Sequence, residues 1–158
     1  MNPSGQDALG RAIVAEARSW IGTPYVHGAS LKGAGCDCLG LVRGVWRALH
    51  GEEPEPTPPY SPDWAEATGR DVLTLAAERH LARVPLDRAE AGDVLLFRWR
   101  AGAPAKHLGV ATGGGRMVHA HDGARVCEVA IGVWTRRLSG AFRIPARRTP
   151  LDEGRLDP

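Results

Sequence analysis

Apolar residues at Ile13, Val14, Ala17, Trp20 and Ile21 recur at three- and four-residue spacing, the pattern of one buried face on an α-helix. Ser4 with Asp7 resembles an N-terminal cap for that helix, and Gly22 marks its end. A second stripe, Leu41, Val42, Val45, Trp46 and Leu49, starts at Cys38 and stops at Gly51. Between the two, "GTPYVHGASLKGAGCD" is rich in glycine and reads as a loop with turns. The prolines of "EEPEPTPPYSPDW" forbid regular structure and predict a semi-extended insert over residues 52–62. A short helix is expected around "DVLTLAAERHLARV". The continuous apolar run in "EAGDVLLFRW" fits a strand buried on both faces. Strand patterns follow in "HLGVAT", "RMVHAH", "RVCEVAI" and "GAFRIP", the first three separated by "TGGGR" and by Asp122-Gly123, as tight hairpins require. The fold class is α+β, with N-terminal helices packed on an antiparallel β-sheet. A single domain is expected over residues 1–146, followed by a polar tail over 147–158.

Composition narrows the function classes only modestly. The chain has 158 residues, enough for one domain to bury a sizeable core, and its 43% hydrophobic and 24% charged residues describe an ordinary globular protein. Its net charge of +2 is too balanced to announce nucleic-acid binding. No stretch approaches the ~20 apolar residues of a membrane span, and the first twenty residues lack the basic and apolar regions of a signal peptide. Three cysteines cannot all pair with one another, which favours a reducing compartment over a disulfide framework.

The candidate chemistry centres on "GCDCLGLVRGVW". A thiol at a helix N-terminus meets unpaired backbone N–H groups and the positive end of the helix dipole, both of which favour the thiolate, so Cys38 is placed to be a nucleophile. The bland alternative is a small core residue on an apolar helix face. A cysteine nucleophile needs a base, and in "HLGVATGGGRMVHAH" strand alternation puts His107 on the same face of a hairpin as His119 and His121. A turn centred on Gly113 sets His107 opposite His119; one centred on Gly114 sets it opposite His121. Zinc is the competing chemistry, since Cys36, Cys38, His119 and His121 could supply four ligands, but the one-residue gaps are shorter than structural zinc sites use. A Cys36–Cys38 disulfide would close a strained ring, and Cys127 shares an apolar strand face with Val129 and Ile131.

Taken in order, "GTPYVHGA", "DCLGLV", "AGDVLLF" and "HLGVATGGGRMVHA" resemble the NlpC/P60 family of cell-wall cysteine peptidases over roughly residues 9–145. The resemblance implies a papain-like fold, Cys38 as nucleophile, His107 as base, and His119 as the third polar residue, leaving His121 spare. It also implies that Tyr25 helps shape the oxyanion and substrate pocket and that Asp37 is the aspartate accompanying the nucleophile. The implied substrate is the stem peptide of peptidoglycan, cut between D-glutamate and a diamino acid, with no metal or cofactor. This chain has Leu39 where the family usually has serine, His27 where an aromatic residue is common, and Ala29 in place of the second glycine of a Gly-Gly pair.

The leucine-bearing motif looks most like peptidases of phage tails and gene transfer agents. That resemblance implies assembly in the cytoplasm, carriage on a tail or baseplate, and action in the wall or periplasm, with the insert and the tail as docking segments to baseplate proteins. No nucleic-acid or membrane partner is expected. The rival readings are a non-catalytic tail or baseplate subunit on the same fold, an amidase or acyltransferase with the same triad, and a redox protein in which Cys36 resolves oxidised Cys38.

Overall fold

A computed structural model describes residues 3–61 and 69–146. The first helix, α1, spans Pro3–Ser19, so Ser4 falls inside its first turn; the Ser4 side chain, proposed above as a cap, lies outside the described residues. The helix ends sooner than the apolar spacing implies. Trp20 is buried just past its last turn, whereas Ile21 is 47% exposed and belongs to the turn leading to Gly22. Two short strands, β1 (Ser30–Leu31) and β2 (Gly35–Cys36), pair antiparallel within the glycine-rich loop. Helix α2 then runs from Cys38 to His50 and closes at Gly51, whose positive φ of 80° suits glycine and whose N–H returns to the Arg47 carbonyl at 2.8 Å.

Beyond the insert, α3 covers only Val72–His80. Its expected continuation through "LARV" is instead strand β3 (Ala82–Val84), because Leu81 turns extended and Ala82, Arg83 and Val84 pair with the last strand. The remaining strands are β4 (Val94–Phe97), β5 (His107–Gly113), β6 (Arg116–His119), β7 (Cys127–Ala130) and β8 (Leu138–Arg143). With β3 they form one six-stranded sheet in the order β3-β8-β4-β5-β6-β7, every pairing antiparallel. The β5–β6 turn is tight, with Gly113, Gly114 and Gly115 all at positive φ. Around Gly123 the connection is wider than a tight hairpin, since β6 ends at His119 and β7 starts at Cys127.

Side-chain alternation divides the sheet between two clusters. Val94, Leu96, Leu108, Val110, Val118 and Phe142 face the helices, where they meet Ile13, Ala17, Trp20, Leu41 and Val45. Leu95, Phe97, Ala111, Met117 and Ala141 form the other face, covered by Val129, Trp134 and Leu138. All four residues of β4 are therefore buried, as its unbroken apolar run requires. Close approach of the helices depends on Gly44, where an added Cβ would lie 2.0 Å from the Trp20 ring. This packing fixes the start of α2 against the start of β5, and that corner carries the polar chemistry.

Candidate active site

Asp37 sets the start of α2. Its Oδ1 accepts the Gly40 N–H at 2.7 Å, capping the helix, while Oδ2 accepts the Gly28 N–H at 2.8 Å and the hydroxyl of Tyr60. The buried carboxylate thus ties together the loop before Cys38, the helix, and the proline-rich insert. His27 adds a second link to the insert, with Nε2 2.7 Å from the Tyr60 carbonyl and its ring edge-on to the tyrosine at 4.9 Å. Tyr60 was missed in the sequence because a lone tyrosine among prolines has no periodicity to place it.

Cys38 is half-buried at the first position of α2. The backbone N–H groups of Leu108, Leu39 and Cys38 itself are directed at its sulfur, which puts the thiol against the residue next to His107. These groups favour the thiolate, as a helix start should, but burial and the charge of Asp37 outweigh them and push the thiol up to about 12. The resting group is a thiol, contrary to the expectation from helix position alone. Tyr25 bridges to Cys36, packs beside the core, and has its hydroxyl pushed up to about 12 by burial and by the nearby Cys38 and Asp37. It therefore remains a donor over the whole physiological range.

His107 and His119 are both 4% exposed. Nε2 of His107 lies 2.8 Å from Nδ1 of His119. The pairs Val110 with Val118 and Ala111 with Met117 show a register centred on Gly114, which by simple counting sets His121 opposite His107. The hydrogen bond is nevertheless diagonal, to His119, because β6 ends there and His121 lies beyond it in ring contact at 5.7 Å. A His107 tautomer that leaves Nδ1 free to act as base carries its proton on Nε2 and donates it to Nδ1 of His119. Burial, then the neighbouring His119 and His121, lower His107 to about 3; burial and His121 lower His119 to about 4. Both rings are neutral at pH 7.

Two aromatic residues that no motif singled out pack on His107. Trp134 stacks on His107 at 5.0 Å and meets His119 edge-on at 5.3 Å, while Trp99 stacks on His107 at 6.1 Å. They stand far apart in sequence, Trp99 in a bend after β4 and Trp134 in a short 3-10 helix (Gly132–Arg137), so periodicity gives them no signal. Of the residues weighed as zinc ligands, Cys36 is fully buried behind the loop and His119 is engaged with His107. Among the described residues no three His, Cys, Asp or Glu side chains form a metal-binding group. Cys127 is half-buried on the edge strand, paired with His119, and less enclosed than a core position.

A family model for NlpC/P60 matches residues 22–143. The chain belongs to the NlpC/P60 family. It is 33% identical to Protein P54 of Enterococcus faecium over 127 residues, 79% of this chain and 20% of that protein. It is 29% identical to the gamma-D-glutamyl-L-lysine dipeptidyl-peptidase of Bacillus subtilis over 80% of this chain and 37% of that protein. Against the murein DD-endopeptidase MepS/murein LD-carboxypeptidase of Escherichia coli it is 26% identical, covering 85% of this chain and 63% of that one. The crystal structure of the NlpC/p60 domain of peptidoglycan hydrolase SagA superposes with a TM-score of 0.59 at 29% identity, covering 85% of this chain and 98% of that domain. The fold is the papain-like NlpC/P60 fold, and the chain spans less than two thirds of the length of these curated relatives.

Within the NlpC/P60 motif, the leucine at position 39 has a structural counterpart. Leu39 lines a cavity of about 430 Å³ with Trp46, Pro56, Pro58, Tyr60 and Leu108, so the residue after Cys38 faces the insert. Gly40 has no such latitude, since a Cβ there would sit 1.9 Å from the Ala29 carbonyl oxygen. Gly40→Ala is expected to destabilise the domain by about 3 kcal/mol, because backbone must move to admit the methyl. Urea unfolding checks this, and an unchanged midpoint would contradict the packing described.

The buried histidines give a second expectation. Their folded pKa values lie below the ordinary 6.5, so the unfolded chain binds protons first as the pH falls, and stability is lost from about pH 6.5 downward. Between pH 7 and 5 the loss should be about 1–2 kcal/mol per ring. Urea midpoints measured across that range, beside a His107→Gln/His119→Gln double variant, test it: the variant should show a flatter dependence, and an equal slope would contradict the assignment.

Proposed function

We propose that this chain is a cysteine peptidase that hydrolyses an amide bond in the stem peptides of peptidoglycan, between D-glutamate and a diamino acid. The observation that carries the reading is the His107–His119 hydrogen bond together with a thiol at the start of α2 that takes the N–H of Leu108, the residue after His107. Because thiol and imidazole rest neutral, His107 takes the proton from Cys38 as the sulfur attacks the amide carbonyl. The N–H groups around the sulfur, with the Tyr25 hydroxyl, provide donors for the oxyanion. His107 then gives its proton to the leaving amine, and water releases the acid from the thioester. His119 orients the ring by accepting from Nε2, and Asp37 acts as a positioning residue through its cap and its tie to Tyr60.

Support for the substrate comes from the gamma-D-glutamyl-L-lysine dipeptidyl-peptidase, whose name states that bond. Mass spectrometry of peptidoglycan and of defined stem peptides after incubation tests the reading. Fragments cut after D-glutamate support it; intact substrate with folded, reduced protein removes it. In the same reading the enzyme is made in the cytoplasm and carried on a phage-like tail or baseplate into the wall. Support for this setting is the resemblance of the leucine-bearing motif. Co-sedimentation with tail particles that is lost on deleting the insert would support it, and free enzyme alone would remove it.

A further inference from the structure

We infer that Trp99, Trp134 and Arg137 form a subsite for a free carboxylate on the leaving-amine fragment of the substrate. The inference rests on the peptidase reading above and adds a selectivity to it. His107 must deliver its proton to the leaving amine, so that fragment lies beside the His107 ring. The two rings stacked on it are the tryptophans, 5.6 Å apart from each other. Over them lies Arg137, its Cζ 4.9 Å from the Trp99 ring and 5.9 Å from the Trp134 ring. A guanidinium laid on indole planes is held in orientation, and its N–H edge stays available for a carboxylate.

The surrounding charge is of one sign. The Arg98 N–H bonds the Arg137 carbonyl at 2.8 Å, which brings the end of β4 and the turn before β8 together. Arg98, Arg100, Arg136 and Arg137 thus gather at this end of the sheet, and none has an ion pair among the described residues. No acidic residue occurs between Asp93 and Asp122, or between Glu128 and Ala146. Other arginines are matched, as Arg18 is with Glu128, Arg43 with Glu53 and Arg143 with Asp93, and the four at this end differ from scattered ones such as Arg125, which bonds the Gly22 carbonyl, in lying together. An unmatched cationic and aromatic ledge beside a proton-transferring ring selects an anionic leaving fragment over a neutral one.

Two stem-peptide amides that differ only in the leaving residue, one with a free α-carboxylate and one with a carboxamide, test the ledge. The wild type should favour the carboxylate about fivefold in kcat/KM at low salt, falling as salt rises. The preference should drop to about one in Arg137→Gln and survive in part in Arg137→Lys. Calorimetric binding of both amides to Cys38→Ala protein separates the two claims. Cleavage without preference, in rate and in binding, overturns the ledge and leaves the peptidase standing. Preferential binding of the carboxylate form without any cleavage supports the ledge and overturns the peptidase. Equal binding without cleavage overturns both.

Discussion

Cys38→Ala is expected to lower hydrolysis of stem peptides about 10⁴- to 10⁶-fold, down to what binding and oxyanion donors alone provide. The loss belongs to the sulfur and not to the fold, because Cys38 is half-buried and its replacement removes one atom from the edge of the core. The thermal midpoint should stay within a few degrees, since about 1 kcal/mol moves a domain of this size only that far. Cys36 and Cys127 supply the controls. Cys127→Ala should leave the rate within about threefold, because its strand lies beyond His119 and its side chain has no part in the proton path. Steady-state kinetics on one defined peptide decide the matter. A Cys38→Ala protein with a tenth of wild-type activity would mean that another group attacks.

The second large effect is expected at His107, the proposed base. His107→Ala should reduce kcat about 10²- to 10⁴-fold, the usual worth of general acid–base catalysis. His119→Ala should lower kcat less, about 10- to 100-fold, because it removes the acceptor that fixes the tautomer and leaves the base in place. His121→Ala should change kcat by about threefold at most, since its contact to His107 is a ring edge with no hydrogen bond. The ordering distinguishes the diagonal partner from the one opposite in register. If His121→Ala proved as damaging as His107→Ala, the assignment of His119 as orienting group would be wrong.

Much of the fold is visible in the chain because its elements carry strong periodic signals. The stripe from Leu41 to Leu49 and the unbroken run of Val94 to Phe97 each admit one reading, and the structure has the helix and the strand there. Where the signal is short it fails: β1 and β2 have two residues each, too few to show alternation. Leu81 to Val84 looked like helix because apolar spacing does not register the extended backbone that Leu81 adopts to pair β3 with β8. Which histidine partners His107 was open in the sequence because counting across a hairpin gives the residue opposite, while side chains also meet diagonally.

The electrostatics of Cys38 were less legible. Helix position favours the thiolate, yet the aspartate that caps the helix is adjacent in sequence and repels it, and burial adds to that repulsion. The adjacency of Asp37 and Cys38 was a usable signal. The contribution of Tyr60 was not, because it depends on where a proline-rich insert returns after more than twenty residues. Trp99 and Trp134 likewise reach His107 only through the packing of the sheet end.

The measurement that bears most directly on the account is alkylation of the reduced protein with iodoacetamide, followed by peptide mass mapping and residual hydrolysis in the same samples. Activity is predicted to fall in proportion to label on Cys38, with buried Cys36 unlabelled in the folded protein. Full labelling of Cys38 with hydrolysis retained would contradict its role as nucleophile.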